Sequence, residues 1–275
     1  MILFCVHSPV FIKNMKKIEG TGLNSTFCSL EIRPNNEFLF YLHENSHQPL
    51  KIPLDIEEIR VVNHSVSLGK EPGANVVEHL FSALYGLGLF CVRIDLYGNE
   101  MPFFDGSSKE FVRILRGFKE TGAGPVLRLN KRLEVRHGSS FIRYEPTTDE
   151  LFIIDMELSH PYIRTQRLIS TIDRETYINE IAAARTFVFT EDSDARLKNL
   201  PPYGIGITKT GIYAAEPLRF SDEPVRHKIL DLLGDLYVLN RKIVGKITAR
   251  NSSHLLNQRF IRLLRKESIE QKNLF

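Results

Sequence analysis

Residues 226–236, Arg-His-Lys-Ile-Leu-Asp-Leu-Leu-Gly-Asp-Leu, constrain this chain more than any other stretch. Read as a helix, the run carries Ile229, Leu230, Leu232, Leu233 and Leu236 on sides that must pack, so it belongs inside a folded body. His227 and Asp231 stand one helical turn apart, about 40° around the axis, and Asp235 continues the same face. A neutral imidazole and a carboxylate at this spacing can hold one divalent ion, and zinc accepts both donor types. A helix surface also acquires one His and two Asp by accident, so the run alone leaves both readings open.

A chain of 275 residues, 43% hydrophobic and 25% charged, has the make-up of a soluble globular protein, with room for one large domain or two of ordinary size. A net charge of +3 is too small to argue for nucleic acid as a partner and suits an anionic small substrate. Cys5, Cys28 and Cys91 are scattered and odd in number, which fits a reducing compartment rather than a disulfide framework. No apolar run approaches the roughly 18–20 residues of a membrane span. The apolar opening, Met1 to Ile12, lacks a leading basic residue and a small-residue cleavage site, so a first strand or extended leader is expected there. The expected location is the cytoplasm.

In the first half, Gly20 and Gly22 lie between expected strands. A dinucleotide fingerprint would need a third Gly and a following helix, so this reads as a tight turn. Residues 27–33 and 37–42 alternate as strands, and 52–61 is a further extended candidate. A helix follows from Asn75, with Val76, Leu80, Ala83, Leu84 and Leu87 at helical spacing and Gly86 and Gly88 at its end. Asn75 is placed to cap it, with Glu78 in the capping-box position. That accounts for Glu78 but not for His79, since adjacent Glu and His could also set a general base beside a metal ligand. Residues 90–96 alternate as a strand. Ser107 opens another capped helix with Phe111, Ile114, Leu115 and Phe118 in one stripe, and Gly122–Pro125 reads as a linker.

In the second half, residues 126–130, 133–136, 141–144 and 151–158 read as strands, and 173–184 as a helix. An irregular excursion with Pro201, Pro202, Gly204, Gly206 and Gly211 precedes the opening helix. A strand at 242–249 and a capped helix with His254 in its first turn close the chain. Each half therefore runs strands, helix, strand, helix, as an internal duplication would. The expected fold is α+β: two similar domains, 1–122 and 126–275, each a β-sheet layer with packed helices, forming a face-to-face sandwich with the site between them. His79 would then meet His227 and Asp231 across the interface, leaving a fourth ligand position open for water.

Val77-Glu-His-Leu, Met101-Pro-Phe-Phe-Asp-Gly-Ser107, His160-Pro161, Ala184-Arg-Thr-Phe187, Val225–Leu236 and Ser253-His-Leu-Leu-Asn257 stand in one order. Together they closely resemble the motifs of the UDP-3-O-acyl-N-acetylglucosamine deacetylase family, the zinc amidases of lipid A biosynthesis in Gram-negative bacteria. The resemblance runs from about residue 17 to 266. It implies His79, His227 and Asp231 as zinc ligands, with Fe2+ able to use the same donors. It implies Glu78 as the general base, His254 as the imidazolium that serves the leaving amine, Asp235 as its orienting carboxylate and Thr186 as the hydroxyl that steadies the oxyanion. Phe187, Lys228 and Asp192 match substrate-binding positions. A UDP-linked acylated amino sugar is the implied partner, with no nucleic acid, no stable membrane insertion and a monomeric chain.

The chain departs from the family at Asn24, where the turn after Gly20 usually carries His, at Leu158, where an aromatic often packs on uracil, and at Asn251, near a common phosphate-contacting Lys. Segment 193–222 is shorter than the family's acyl passage. Two further readings are therefore a divergent paralogue acting on a related amino sugar, and a catalytically weak binding or regulatory homologue.

Overall fold

The computed structural model describes residues 14–43, 48–71, 73–121, 124–194, 197 and 203–272. The expected N-terminal strand or leader lies outside these residues, as do residues 122 and 123 of the expected linker.

Alternation builds the first sheet from β1 (Lys16–Thr21), β2 (Phe27–Pro34), β3 (Leu39–His43), β4 (Leu50–Ile52) and β5 (Val92–Tyr97). Successive side chains point to opposite faces, and Leu30, Ile32, Phe40, Leu42, Ile94 and Leu96 make the buried one. The order is β1-β2-β5-β3-β4, antiparallel except for β3 against β5. The second sheet uses β6 (Leu133–His137), β7 (Ser140–Glu145), β8 (Phe152–His160), β9 (Ile163–Thr171) and β10 (Gly245–Arg250). Its order is β6-β7-β10-β8-β9, and only β8 and β10 run parallel. Strand for strand, the halves share one topology, as an internal duplication requires.

The helices occupy matching places. In the first half α1 (Glu78–Gly86) precedes the fifth strand and α2 (Lys109–Leu115) follows it; α3 (Glu223–Leu236) and α4 (His254–Lys272) do the same in the second. This is an α+β architecture. The opening sequence run is α3, which packs against α1, α4, β8 and β9. Ile229, Leu230, Leu232 and Leu233 are fully buried there, each contributing about 1.5–3 kcal/mol. Gly234 lets α3 lie directly on α1, because a Cβ at that position would sit 2.2 Å from the Glu78 carbonyl oxygen. Among the described residues, no helix is long and apolar enough to cross a membrane.

Several expected elements are redrawn. Asn75 does not cap α1: it lies in the short strand Ala74–Asn75, its Oδ1 accepts from the Ser67 hydroxyl at 2.7 Å, and its Nδ2 donates to the Asn99 carbonyl. The helix starts at Glu78 behind Val77, without a side-chain cap. Sheet pairing of 74–75 with 65–68 has taken the residue that local capping would have used. Segment 52–61 divides into the end of β4, a 3₁₀ turn at Ile56–Glu58 and a strand from Ile59. The 173–184 helix is an α-turn at Arg174–Thr176 followed by a π-helical turn, Tyr177–Ile181. Residues Gly124–Leu127 form a short strand parallel to Arg241–Ile243, so the linker ends in paired backbone.

Candidate metal and catalytic site

The site begins at a strained turn. Val76, a β-branched residue, adopts φ 60°, a left-handed conformation that costs about 1–3 kcal/mol and persists only when its surroundings over-determine it. Backbone bonds on both sides do so: Asn75 N–H to the Asn99 carbonyl, Met101 N–H to that of Asn75, and Val77 N–H to that of Val66. The turn starts α1 so that Glu78 and His79 fall in its first turn, both buried.

His79, His227 and Asp231 come together there, each offering a ligand atom within 4.8 Å of the others. The His79 ring stacks on Phe103, with centroids 5.4 Å apart, and meets the His227 ring edge-on at 5.3 Å. Its Nδ1 is buried without a hydrogen-bond partner. His227 is held differently. Its Nδ1 lies 3.0 Å from the Ala184 carbonyl oxygen, which can only accept, so Nδ1 carries the proton. Nε2 then presents its lone pair to Asp231 Oδ1 at 3.1 Å. That contact needs a shared positive charge, either a second ring proton, on Nε2, when no metal is bound, or a metal ion held by both atoms. A divalent metal meets that need, and two nitrogens with one carboxylate oxygen are a donor set suited to zinc. The Lys228 ammonium donates to the second oxygen of Asp231 at 2.9 Å.

The acid–base groups surround this cluster. Glu78 Oε2 accepts from the Val66 N–H at 3.0 Å, and burial raises the carboxyl to about 7 against the opposing charge of His254. Burial lowers His79 to about 3, so its ring is neutral and free to donate a lone pair. Asp231 is held well below the usual carboxylate range: burial opposes its charge, but, in the absence of a metal, a protonated His227 and Lys228 outweigh it. His254 Nδ1 lies 2.8 Å from Asp235 Oδ2, which also accepts from Asn257 Nδ2 at 2.6 Å.

Of the remaining expected residues, Phe187 borders the cluster, Thr186 is fixed through its backbone, and Asp192 pairs elsewhere. The Thr186 backbone N–H donates to the Gly106 carbonyl at 2.7 Å. The Phe187 ring stands 6.2 Å from that of His227, with the Lys228 ammonium 5.6 Å from its centre. Asp192 is exposed and accepts from the Thr210 hydroxyl, on the turn before Ile212–Tyr213. The sequence reading gave no role to Phe103 under His79, to Ser108, whose hydroxyl donates to the His79 carbonyl, or to Asn257. Phe103, Ser108 and Asn257 lie in or beside quoted motifs, but their contacts cross between elements and leave no spacing signal.

The profile of the UDP-3-O-acyl N-acetylglycosamine deacetylase family matches residues 11–266. The chain belongs to this family. Among its curated relatives, the UDP-3-O-acyl-N-acetylglucosamine deacetylase of Wolinella succinogenes is 34% identical over 273 residues, covering 94% of this chain and 89% of the relative. That of Campylobacter hominis is 36% identical over 262 residues, with 89% and 87% covered. The one from Geotalea uraniireducens is 33% identical over 264 residues, with 91% and 86% covered.

Within this deacetylase family, the departures of the chain have structural employment. Asn24 donates through its backbone N–H and its Nδ2 to the two Glu100 oxygens, both at 3.3 Å. Asn251 adopts φ 47°, which Asn tolerates, and its Oδ1 accepts from the Ser159 N–H at 2.7 Å. Leu158 is packed in the core.

Proposed function

We propose that this protein is a zinc-dependent deacetylase that hydrolyses the N-acetyl group of UDP-3-O-acyl-N-acetylglucosamine in lipid A biosynthesis. The observation that carries the reading is the meeting of His79 from one half with His227 and Asp231 from the other, beside Glu78 and the His254–Asp235 pair. Zinc held by these three donors would polarise the amide carbonyl and bring the pKa of water to about 7.

Every other task falls to side chains. Glu78, adjacent to a ligand, takes the proton from the attacking water. Thr186, next to Phe187 in sequence, offers a hydroxyl to the developing oxyanion. His254, charged beside Asp235, protonates the departing amine. Phe187 lines the substrate face, Lys228 serves the sugar and phosphate, and the exposed Asp192 is assigned to the uridine. The chain acts as a cytoplasmic monomer of two domains, 1–122 and 126–275, packed face to face around the site.

Chelator-stripped enzyme should lose acetate release from the UDP substrate and recover it with Zn2+. Glu78→Ala and His79→Ala should abolish that release; normal turnover in either would reject the mechanism. The substitutions at Asn24, Leu158 and Asn251 favour a paralogue as the second reading, and a panel of related amino sugars separates the two.

A further inference from the structure

Residues Ala183–Thr186 carry the carbonyl that meets His227, yet they form no strand until Phe187. What holds them is an ion pair closed to water. Arg185 is 1% exposed and Glu223 0%. The Arg185 Nε donates to Glu223 Oε1 at 2.8 Å, and the Arg185 backbone N–H donates to the same oxygen at 3.0 Å. The other Glu223 oxygen accepts from the Arg219 backbone N–H at 2.8 Å. The Arg219 side chain in turn donates to the Ala183 carbonyl at 2.9 Å and to Asp105 Oδ2, in the first half, at 2.6 Å.

A closed circuit results. Glu223 stands four residues before His227 on α3, so the two share one helix face. Glu223 grips the backbone of Arg185; the preceding residue, Ala184, returns its carbonyl to His227. Replacing a buried ion pair by apolar residues of similar size is often neutral or stabilising, so net stability is a weak account of this one. Geometry is the stronger account.

We propose that Arg185 and Glu223 are positioning residues for His227: through the Ala184 carbonyl they keep the imidazole proton on Nδ1 and the Nε2 lone pair directed at Asp231. The proposal rests on reading His227 as a metal ligand. It extends that reading to a pair 38 residues apart in sequence that never touches the ion.

The test uses full-length, chelator-stripped protein at mildly alkaline pH. Long-range 1H–15N spectra of the imidazoles report the His227 tautomer, and competition with a chromophoric chelator reports zinc affinity. Wild-type protein should keep the proton on Nδ1; a neutral ring protonated on Nε2 alone overturns the proposal without any variant. The double variant Arg185→Met/Glu223→Gln removes both charges and leaves one amide oxygen where two carboxylate oxygens held the Arg185 and Arg219 backbone N–H groups, so one of the two is released. It should stay cooperatively folded with a metal-free melting temperature a few degrees lower, the cost of one unsatisfied buried N–H. It should also show mixed tautomers at His227 and bind zinc about 10–100-fold more weakly, the usual cost of disturbing a ligand's supporting partner. A folded double variant with wild-type affinity and a single tautomer overturns the proposal. If the double variant does not fold, the wild-type tautomer still decides. If wild-type protein binds no zinc, the ligand reading falls while the tautomer still judges the circuit.

Discussion

His254 sits in surroundings that pull its proton both ways. Burial disfavours the imidazolium, but Asp235, with Asp231 and Glu78 behind it, outweighs burial and raises the ring to about 9. A folded pKa above the ordinary 6.5 means that the pairing stabilises the fold fully below that value and fades as pH rises through about 9. If the charged ring is the general acid, turnover should fall along a high-pH limb as His254 loses its proton, at a pH below the metal-free value once a bound cation offsets Asp231. Asp235→Asn removes the largest source of the upward shift and leaves burial in command. We expect the limb to move to lower pH, with the folded state retained; a pH–rate profile of the variant that keeps the wild-type limb would refute the assignment. At this scale the site was legible wherever chemistry followed helical spacing. His227, Asp231 and Asp235 lie on one face at intervals of four, and Glu78 and His79 are adjacent. Phe103 and Arg185 gave no such signal, because their partners come from other elements.

The crossing of α1 and α3 is the element on which that geometry turns, and Gly234 is its contact point. Helix propensity alone predicts that Gly234→Ala stabilises α3 by about 1 kcal/mol. The structure predicts the opposite sign, since the new Cβ would meet the Glu78 backbone at 2.2 Å and neither helix backbone can give way cheaply. A net loss of about 1–3 kcal/mol is expected, together with lower turnover from a displaced Glu78; urea unfolding and acetate release measure both. An unchanged or higher urea midpoint would mean that the helices are not in contact there. Elements with strong apolar periodicity, such as α3, β5 and β8, could be read from sequence. The edge strand β9 was missed because its side chains are largely exposed: Ser170 is its one buried residue, and its register comes from β8. The cap assigned to Asn75 failed for a related reason, as pairing with the preceding strand, 65–68, overrode a sound local preference.

Taken whole, the molecule joins its halves by more than the ligand cluster. The Tyr237 hydroxyl of the second half donates to the Leu89 carbonyl of the first at 2.7 Å, and the Ile243 N–H donates to the Tyr85 hydroxyl at 3.2 Å. Arg265 on α4 clasps Asp55 at 2.6 and 2.8 Å, and Arg174 donates to the Leu87 carbonyl. One continuous core contains residues of both sheets and of α1 and α3. Although the sheets repeat one topology, these ties should make the halves unfold together, in a single calorimetric transition whose van't Hoff and calorimetric enthalpies agree. Zinc should shift that transition without splitting it, because the donors proposed for it come from both halves and are brought together only in the folded state. At a free concentration 100 times the dissociation constant the gain is about 2.7 kcal/mol, so stripping the metal should lower the melting temperature by several degrees. Two resolved transitions in the metal-free protein would show that the halves fold independently and meet only through the ion. A melting temperature insensitive to both chelator and added zinc would show that His79, His227 and Asp231 hold no metal at all.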